Sequence, residues 1–289
     1  MPIRKILYPV DFSPNCERSA KFVEYVTRQY RAELTVIHVT EASEHAFALL
    51  EVSGAVSDEL RAQWLERSRR RLDGFVHEEM PDLAPKQVIL EGNAGREIVK
   101  YADANGIDLI MMPTHGFSLM RRFVLGSTTA RVLHDAHCPV WTGLHTDEPI
   151  ALEGIPFRHL MCAVDLRDKS EATIQYAAKL AAEFEADLHV AHASPVIVTP
   201  PEICVQGDLT ERFAREAREE LSRMLDRMGV KAGVCVHPGD PAEVIREACK
   251  AHRSNLLVIA RGAAAGGLGR LRAHSYSIIN QAPCSVISV

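Results

Sequence analysis

The stretch Met112-Pro113-Thr114-His115-Gly116, followed nine residues later by Gly126-Ser127-Thr128, holds the residue types that binding an anion requires. Gly116 has no Cβ, so it permits a tight turn and a close backbone approach. Gly126-Ser127-Thr128 opens a helical pattern. There the free N–H groups of the helix N-terminus, its dipole and two hydroxyls together favour a phosphate. The same residues also suit a plain glycine–serine helix cap, and spacing alone leaves the two readings level. The segment is not a Walker A loop, because no Gly-Lys-Ser/Thr follows a strand at the required spacing.

Other chemistry-bearing residues are weaker candidates. His134, His137 and Cys138 are close enough in sequence to suggest zinc, but no fourth ligand is evident and the spacing straddles a helix end and a strand start. His189 and His192 are three apart and so do not share a strand face. Arg67, Arg69, Arg70 and Arg71 point in different directions on a helix with acids nearby, which reads as a solvated face. A GxSxG nucleophile elbow is absent from the sequence. The seven cysteines are odd in number and scattered, with no CxxC, so they read as small buried hydrophobes in a reducing compartment.

The elements that must position these residues come twice. Lys5-Ile6-Leu7-Tyr8-Pro9-Val10-Asp11 lies over His159-Leu160-Met161-Cys162-Ala163-Val164-Asp165 at an offset of 154 residues, held without a gap through Val39 over Ala193. Ala136-His137-Cys138-Pro139-Val140 lies over Ala282-Pro283-Cys284-Ser285-Val286 at an offset of 146. Two copies follow, 1–147 and 157–289, joined by a linker with Pro and Gly punctuation over 147–156. Copy one predicts strands near 4–10, 33–39, 86–90, 107–113 and 138–142, with helices near 15–30, 56–79, 95–105 and 127–136. Copy two predicts strands near 159–164, 187–193, 231–236, 255–260 and 284–289. The strands are Ile/Leu/Val runs with little alternation, as expected when both faces are buried. Leu60, Trp64, Leu65, Leu72, Phe75 and Val76 form a stripe read as core. Strand–helix alternation predicts two tandem α/β domains, each with a doubly wound parallel sheet. Ligands of such sheets bind beyond the carboxyl ends of the strands, where strand order reverses.

Composition narrows the partners. The chain has 289 residues, 47% hydrophobic and 25% charged, with a net charge of −5. Neither half has the basic excess of a phosphate-backbone binder, which argues against nucleic acid as a partner. No apolar run approaches the ~18 residues that cross a bilayer. The N-terminus carries no signal-like apolar region, and a cytoplasmic protein is expected.

MPTHGFSLMRRFVLGSTTARVLHDAHCPVW, together with ILYPVDFS and TVIHV, resembles the universal stress protein (UspA) family over nearly the whole chain, twice. The resemblance implies Rossmann-like domains with strands in order 3-2-1-4-5, ATP or another adenine nucleotide in the crevice between strands 1 and 4, and C-terminal strands that pair two such units. It therefore implies an intramolecular pseudo-dimer of the two copies, with a homodimer and further protein partners open. Of the family pattern G-x2-G-x9-G-S/T, Gly116 and Gly126-Ser127 are present, while Pro113 stands at the first glycine and removes an N–H donor. By the same resemblance, Asp11 lies at the ribose or adenine edge and Val39 presents backbone to adenine, with Pro9 and Val10 also among the nucleotide-binding residues. Gly116, Gly126, Ser127 and Thr128 surround the phosphates, with Arg121 and Arg122 as candidates from the loop, and Met112 and Pro113 complete the nucleotide-binding residues. Mg2+ would come with the nucleotide, which would order the 114–126 loop and change a surface that partners read. In copy two, Gly126-Ser127 is replaced by Arg272-Ala273, although Asp165 and a Gly-rich 262–269 stretch remain, so degenerate or altered binding is expected there. The reading is a nucleotide-binding stress-response protein. Its rivals are a slow ATP hydrolase and an interaction module without nucleotide.

Overall fold

The computed structural model describes residues 3–40, 58–114, 125–143, 157–197, 206–261 and 273–289. The chain divides into two compact units, Met1–Gly154 and Ile155–Val289.

Unit 1 begins with β1 (Lys5–Pro9), α1 (Pro14–Tyr30), β2 (Glu33–Thr40) and α2 (Asp58–Glu79). It continues with β3 (Lys86–Glu91), α3 (Ala94–Asn105), β4 (Leu109–Met111), α4 (Ser127–Asp135) and β5 (Val140–Thr142). All its pairings are parallel: β2 lies between β1 and β3, and β4 lies between β1 and β5. The order is therefore β3-β2-β1-β4-β5, and the chain reverses its direction of travel across the sheet at β1. Ile6, Leu7, Tyr8, Val36, Leu109, Ile110 and Val140 are fully buried, which explains the near-continuous apolar runs of these strands. Local signals end the helices where they should. Ser13 caps α1 by accepting from the Cys16 amide at 3.4 Å, with Pro14 behind it. Asn93 caps α3, which stops at Gly106 in the left-handed region, φ 61°.

Unit 2 repeats the plan with β6 (His159–Ala163), α5 (Ser170–Glu183), β7 (Asp187–Ser194), α6 (Gln206–Met228) and β8 (Gly233–Pro238). It ends with α7 (Pro241–Ala251), β9 (Leu256–Ile259), α8 (Ala273–Gln281) and β10 (Ser285–Ser288). Its strands pair in parallel in the order β8-β7-β6-β9-β10.

Some expectations need correction. β4 and β5 are shorter than the runs 107–113 and 138–142. β8 starts at Gly233 rather than near 231, because the Val230 amide still donates to Leu225 O at 3.0 Å and closes the preceding helix. Trp64 is not core: it is 53% exposed, whereas Leu72, Phe75 and Val76 are buried. Arg61, three residues before Trp64, is tied to Glu91 at the carboxyl end of β3 at 2.9 Å, so this part of the helix meets the strand end through a polar contact and leaves the indole more than half exposed.

Unit 2 also carries a close histidine pair, its rings tilted by 34°, near the amino end of β7. His189 of β7 lies 3.9 Å, centroid to centroid, from His252 at the end of α7. The Cys235 sulfur is 3.2 Å from His252 Nε2. Gly233, facing His189 across the ladder, leaves room for the ring: a Cβ there would stand 2.3 Å from His189 Cδ2. Burial is the main cause that lowers the His189 pKa, with a smaller push from His252; burial likewise lowers that of His38 in unit 1. A histidine whose folded pKa is depressed takes up protons more readily in the unfolded chain. Stability is then fully present above the unfolded value of about 6.5 and is lost as pH falls below it. Urea midpoints should therefore drop between about pH 7.5 and about pH 5.5, and His189→Phe, which keeps a ring without a titrating group, should shrink that drop. Identical pH slopes in the two proteins would exclude His189 as a source of the acid sensitivity.

Candidate functional site

The reversal at β1 leaves the carboxyl ends of β1 and β4 side by side with crossovers leaving in opposite directions, the place where such sheets take ligands. The first wall is the β1–α1 turn. The Val10 amide donates to Ile37 O at 2.8 Å, and Val10 O pairs with His38 Nδ1 at 2.8 Å, so both backbone groups of Val10 are tied to β2. Asp11 is exposed beyond the strand end. Its Oδ1 accepts from the Ser13 amide at 3.0 Å and from the Cys16 thiol at 3.1 Å, which fixes the carboxylate. Burial, followed by the charge of Asp11, pushes the Cys16 thiol up to about 12, so it stays a donor. Tyr8, fully buried beneath, donates to Cys16 O at 2.5 Å.

The second wall is β2. Ile37 O faces β1, since it accepts from Val10, whereas Thr40 O faces β3, since it accepts from Gly92 at 3.1 Å. Strand backbone groups alternate sides residue by residue. The N–H and C=O of Val39 therefore point to the β1 side, just past the end of β1 at Pro9.

The third wall is the β4–α4 junction. Met112 and Pro113 are buried, and the Met112 amide donates to Trp141 O at 3.0 Å. Thr114 O accepts from the Gly126 amide at 2.9 Å, and Pro113 O accepts from the Thr129 hydroxyl at 3.1 Å. These two bonds hold the N-terminus of α4 against the end of β4. Gly126 is the N-cap and brings no side chain to it, so the first-turn amides of α4 are left for another acceptor. Its φ of −61° is open to any residue, so conformation does not demand glycine there; close approach of another group would. Ser127 is exposed, Thr128 half-buried, and Thr129 buried in its bond to Pro113. Gly95 sets how near α3 comes: a Cβ there would stand 2.7 Å from Arg131 of α4. Gly116, Arg121 and Arg122 lie outside the described residues.

Unit 2 repeats the first wall but not the third. Asp165 Oδ1 accepts from the Arg167 amide at 3.1 Å and from the Ser170 hydroxyl at 3.4 Å, and His192 Nδ1 pairs with Val164 O at 2.9 Å. At the position of Thr114, however, stands Arg261, only 3% exposed, and Lys169 Nζ donates to its carbonyl at 3.1 Å. The 262–272 stretch lies outside the described residues.

Zinc at His134, His137 and Cys138 has no geometric support: His134 pairs with Asp135 and His137 with Asp103. Among the described residues no three His, Cys, Asp or Glu side chains gather as a metal site. Four of the six described cysteines are buried and two half-buried. No helix among the described residues is long and apolar enough to cross a membrane. Cys16, His38, Gly95 and Thr129 are the positioning residues that sequence reasoning missed. The repeat held the signal for two of them, since the offset of 154 sets Cys16 over Ser170 and His38 over His192.

A doubly wound sheet repeated twice, with this crevice in its first copy, defines a tandem α/β protein. The chain belongs to the universal stress protein family, whose model matches residues 2–142 and 156–289. It is 31% identical over 150 residues to universal stress protein MJ0577 of Methanocaldococcus jannaschii, a match covering 47% of this chain and 92% of that one. Its fold is similar, over 98% of this chain and 95% of the other, to the crystal structure of a universal stress protein from Archaeoglobus fulgidus, with TM-score 0.69 at 18% identity. A second solved structure, the protein PA1789 of Pseudomonas aeruginosa, gives TM-score 0.64 at 18% identity over 99% of this chain and 92% of its own.

The pinning of Asp11 makes a testable contrast. Cys16→Ser keeps a donor, as Ser170 does in unit 2, whereas Cys16→Ala removes it. The alanine variant should lose about 1 kcal/mol in urea unfolding, less than the roughly 1.5–3 kcal/mol of an ordinary bond to a charged acceptor because a thiol is a weak donor. The serine variant should stay within about 0.5 kcal/mol of wild type. Equal losses in both would show that the sulfur matters for packing and not for the carboxylate.

Proposed function

We propose that unit 1 binds ATP or a related adenine nucleotide and that the chain acts as a nucleotide-dependent regulatory or interaction protein of the stress response. The observation that carries this reading is the N-terminus of α4: its cap is a glycine of ordinary φ, and it is held beside the ends of β1 and β4 by the Thr114–Gly126 and Pro113–Thr129 bonds. Amides without a side-chain cap, a dipole and the Ser127 and Thr128 hydroxyls suit phosphate oxygens there. On the other side, the Val39 backbone groups, which point past the end of β1, suit an adenine edge, and the fixed Asp11 carboxylate suits ribose hydroxyls. Mg2+ would enter bound to the phosphates, with water completing its shell.

Unit 2 is assigned a structural or regulatory part. Its Asp165 is held like Asp11, but the buried Arg261 replaces Thr114, and Arg272-Ala273 replaces Gly126-Ser127 at the opening of α8.

Calorimetric titration of the full chain with ATP tests the reading. Ser127→Ala removes a donor to a charged group, worth roughly 1.5–3 kcal/mol, so affinity should fall about ten- to hundredfold. Gly126→Val should weaken binding as well, by crowding the approach to the first-turn amides. Unchanged affinity in both variants, with the unfolding midpoints intact, would remove the phosphate end from this place.

A further inference from the structure

Arg71 of α2 stands apart from the other arginines of its run. Arg70 pairs with Glu66 one turn away along the exposed face. Arg71 instead lays its guanidinium over the ring of Phe12, with Cζ 4.4 Å from the centroid. Phe12 is the residue after Asp11, held in the left-handed region at φ 61°. A bulky side chain in that conformation costs energy that its surroundings must supply. Here they do: His38 lies 4.4 Å from the Phe12 ring and Phe75 6.0 Å, so the ring is gripped by β2 and α2 while Arg71 covers it. Arg71 and Asp11 both act on His38, the cation lowering its pKa and the carboxylate raising it, although burial is the larger cause. The cation, the carboxylate and the end of β2 thus share one neighbourhood.

Unit 2 shows the alternative. Leu166, at φ 56°, takes the place of Phe12 and offers no ring face. Arg218, which corresponds to Arg71 at the offset of 147 that relates β3 to β8, turns onto the sheet and donates to Val236 O at 2.9 Å. In unit 1 the arginine thus lies on an aromatic ring at the β1–α1 turn, whereas in unit 2 its counterpart is spent on a backbone carbonyl.

Resting on the nucleotide reading above, we propose that Arg71 is a further nucleotide-binding residue of unit 1, contacting the base and ribose rather than the phosphates. Its position favours that end: it covers the β1–α1 turn on the β2 side, whereas the α4 N-terminus adjoins β4. A guanidinium with Cζ 4.4 Å from the Phe12 centroid has N–H donors to offer a hydrogen-bonding partner and a planar surface to offer a flat one. An adenosine moiety offers what these need, ring and ribose acceptors at the edge and a flat surface to stack.

The test is calorimetry on the full chain with ATP and AMP as probes, for wild type, Arg71→Gln and Arg71→Lys, alongside the unfolding midpoint of each protein without nucleotide. Both variants should bind about tenfold more weakly, by the same factor for ATP and AMP, with midpoints unchanged. Lysine should not rescue, because it lacks the planar fork. Unchanged affinity in the variants of a chain that binds ATP overturns the proposal alone. A loss for ATP that shrinks for AMP overturns it in favour of a phosphate contact, and a loss accompanied by lowered midpoints overturns it in favour of a structural role. Wild type that binds neither probe overturns this proposal together with the nucleotide reading.

Discussion

The change of direction at β1 is the constraint on which the rest depends. Because β1 pairs with β2 on one side and β4 on the other, the chain leaves it toward one edge and returns at the opposite side. The loops after β1 and β4 then lead away in opposite directions, and a crevice opens between them above the carboxyl ends of the two paired strands. Everything described at the crevice serves to hold that opening in one shape. His38 ties the β1 turn to β2, the Asp11 carboxylate is pinned by Ser13 and Cys16, and Thr114 and Pro113 hold α4 to the end of β4. None of these bonds is strong by itself, but each satisfies a polar group that burial would otherwise penalise.

The two units act as an internal control on which features belong to the fold and which to the site. Both keep the aspartate, the positive-φ residue after it and the histidine bond to the turn carbonyl, so these serve the strand-to-helix turn wherever it occurs. The units part at the places where a ligand would approach. Thr114 against Arg261, Gly95 against Ala242 and Phe12 against Leu166 all change the space or charge around the crevice and leave the sheet intact. Membership in the universal stress protein family covers both units, so the divergence lies within one architecture.

Much of this architecture was legible in the sequence because parallel strands buried on both faces write their position as apolar runs, and because the repeat wrote each run twice. The elements fell close to their expected places, and the strand order followed from the family resemblance. What sequence could not supply was three-dimensional distance. Trp64 sits on the helical stripe with Leu72 and Phe75, but its part of α2 meets the end of β3 through the Arg61–Glu91 ion pair and the indole is left more than half exposed. Arg71 belongs to a charged run that looks solvated, and its difference from Arg70 is a matter of which residue faces the Phe12 ring. Cys16 reads as a small hydrophobe until its thiol is found against Asp11.

The central claim, a nucleotide site in unit 1 without an equal in unit 2, is tested most directly by native mass spectrometry of the full chain with ATP. The account predicts one nucleotide added per chain, an adduct lost in Asp11→Ala and kept in Asp165→Ala. Two nucleotides per chain, or an adduct that survives Asp11→Ala and disappears with Asp165→Ala, would contradict it.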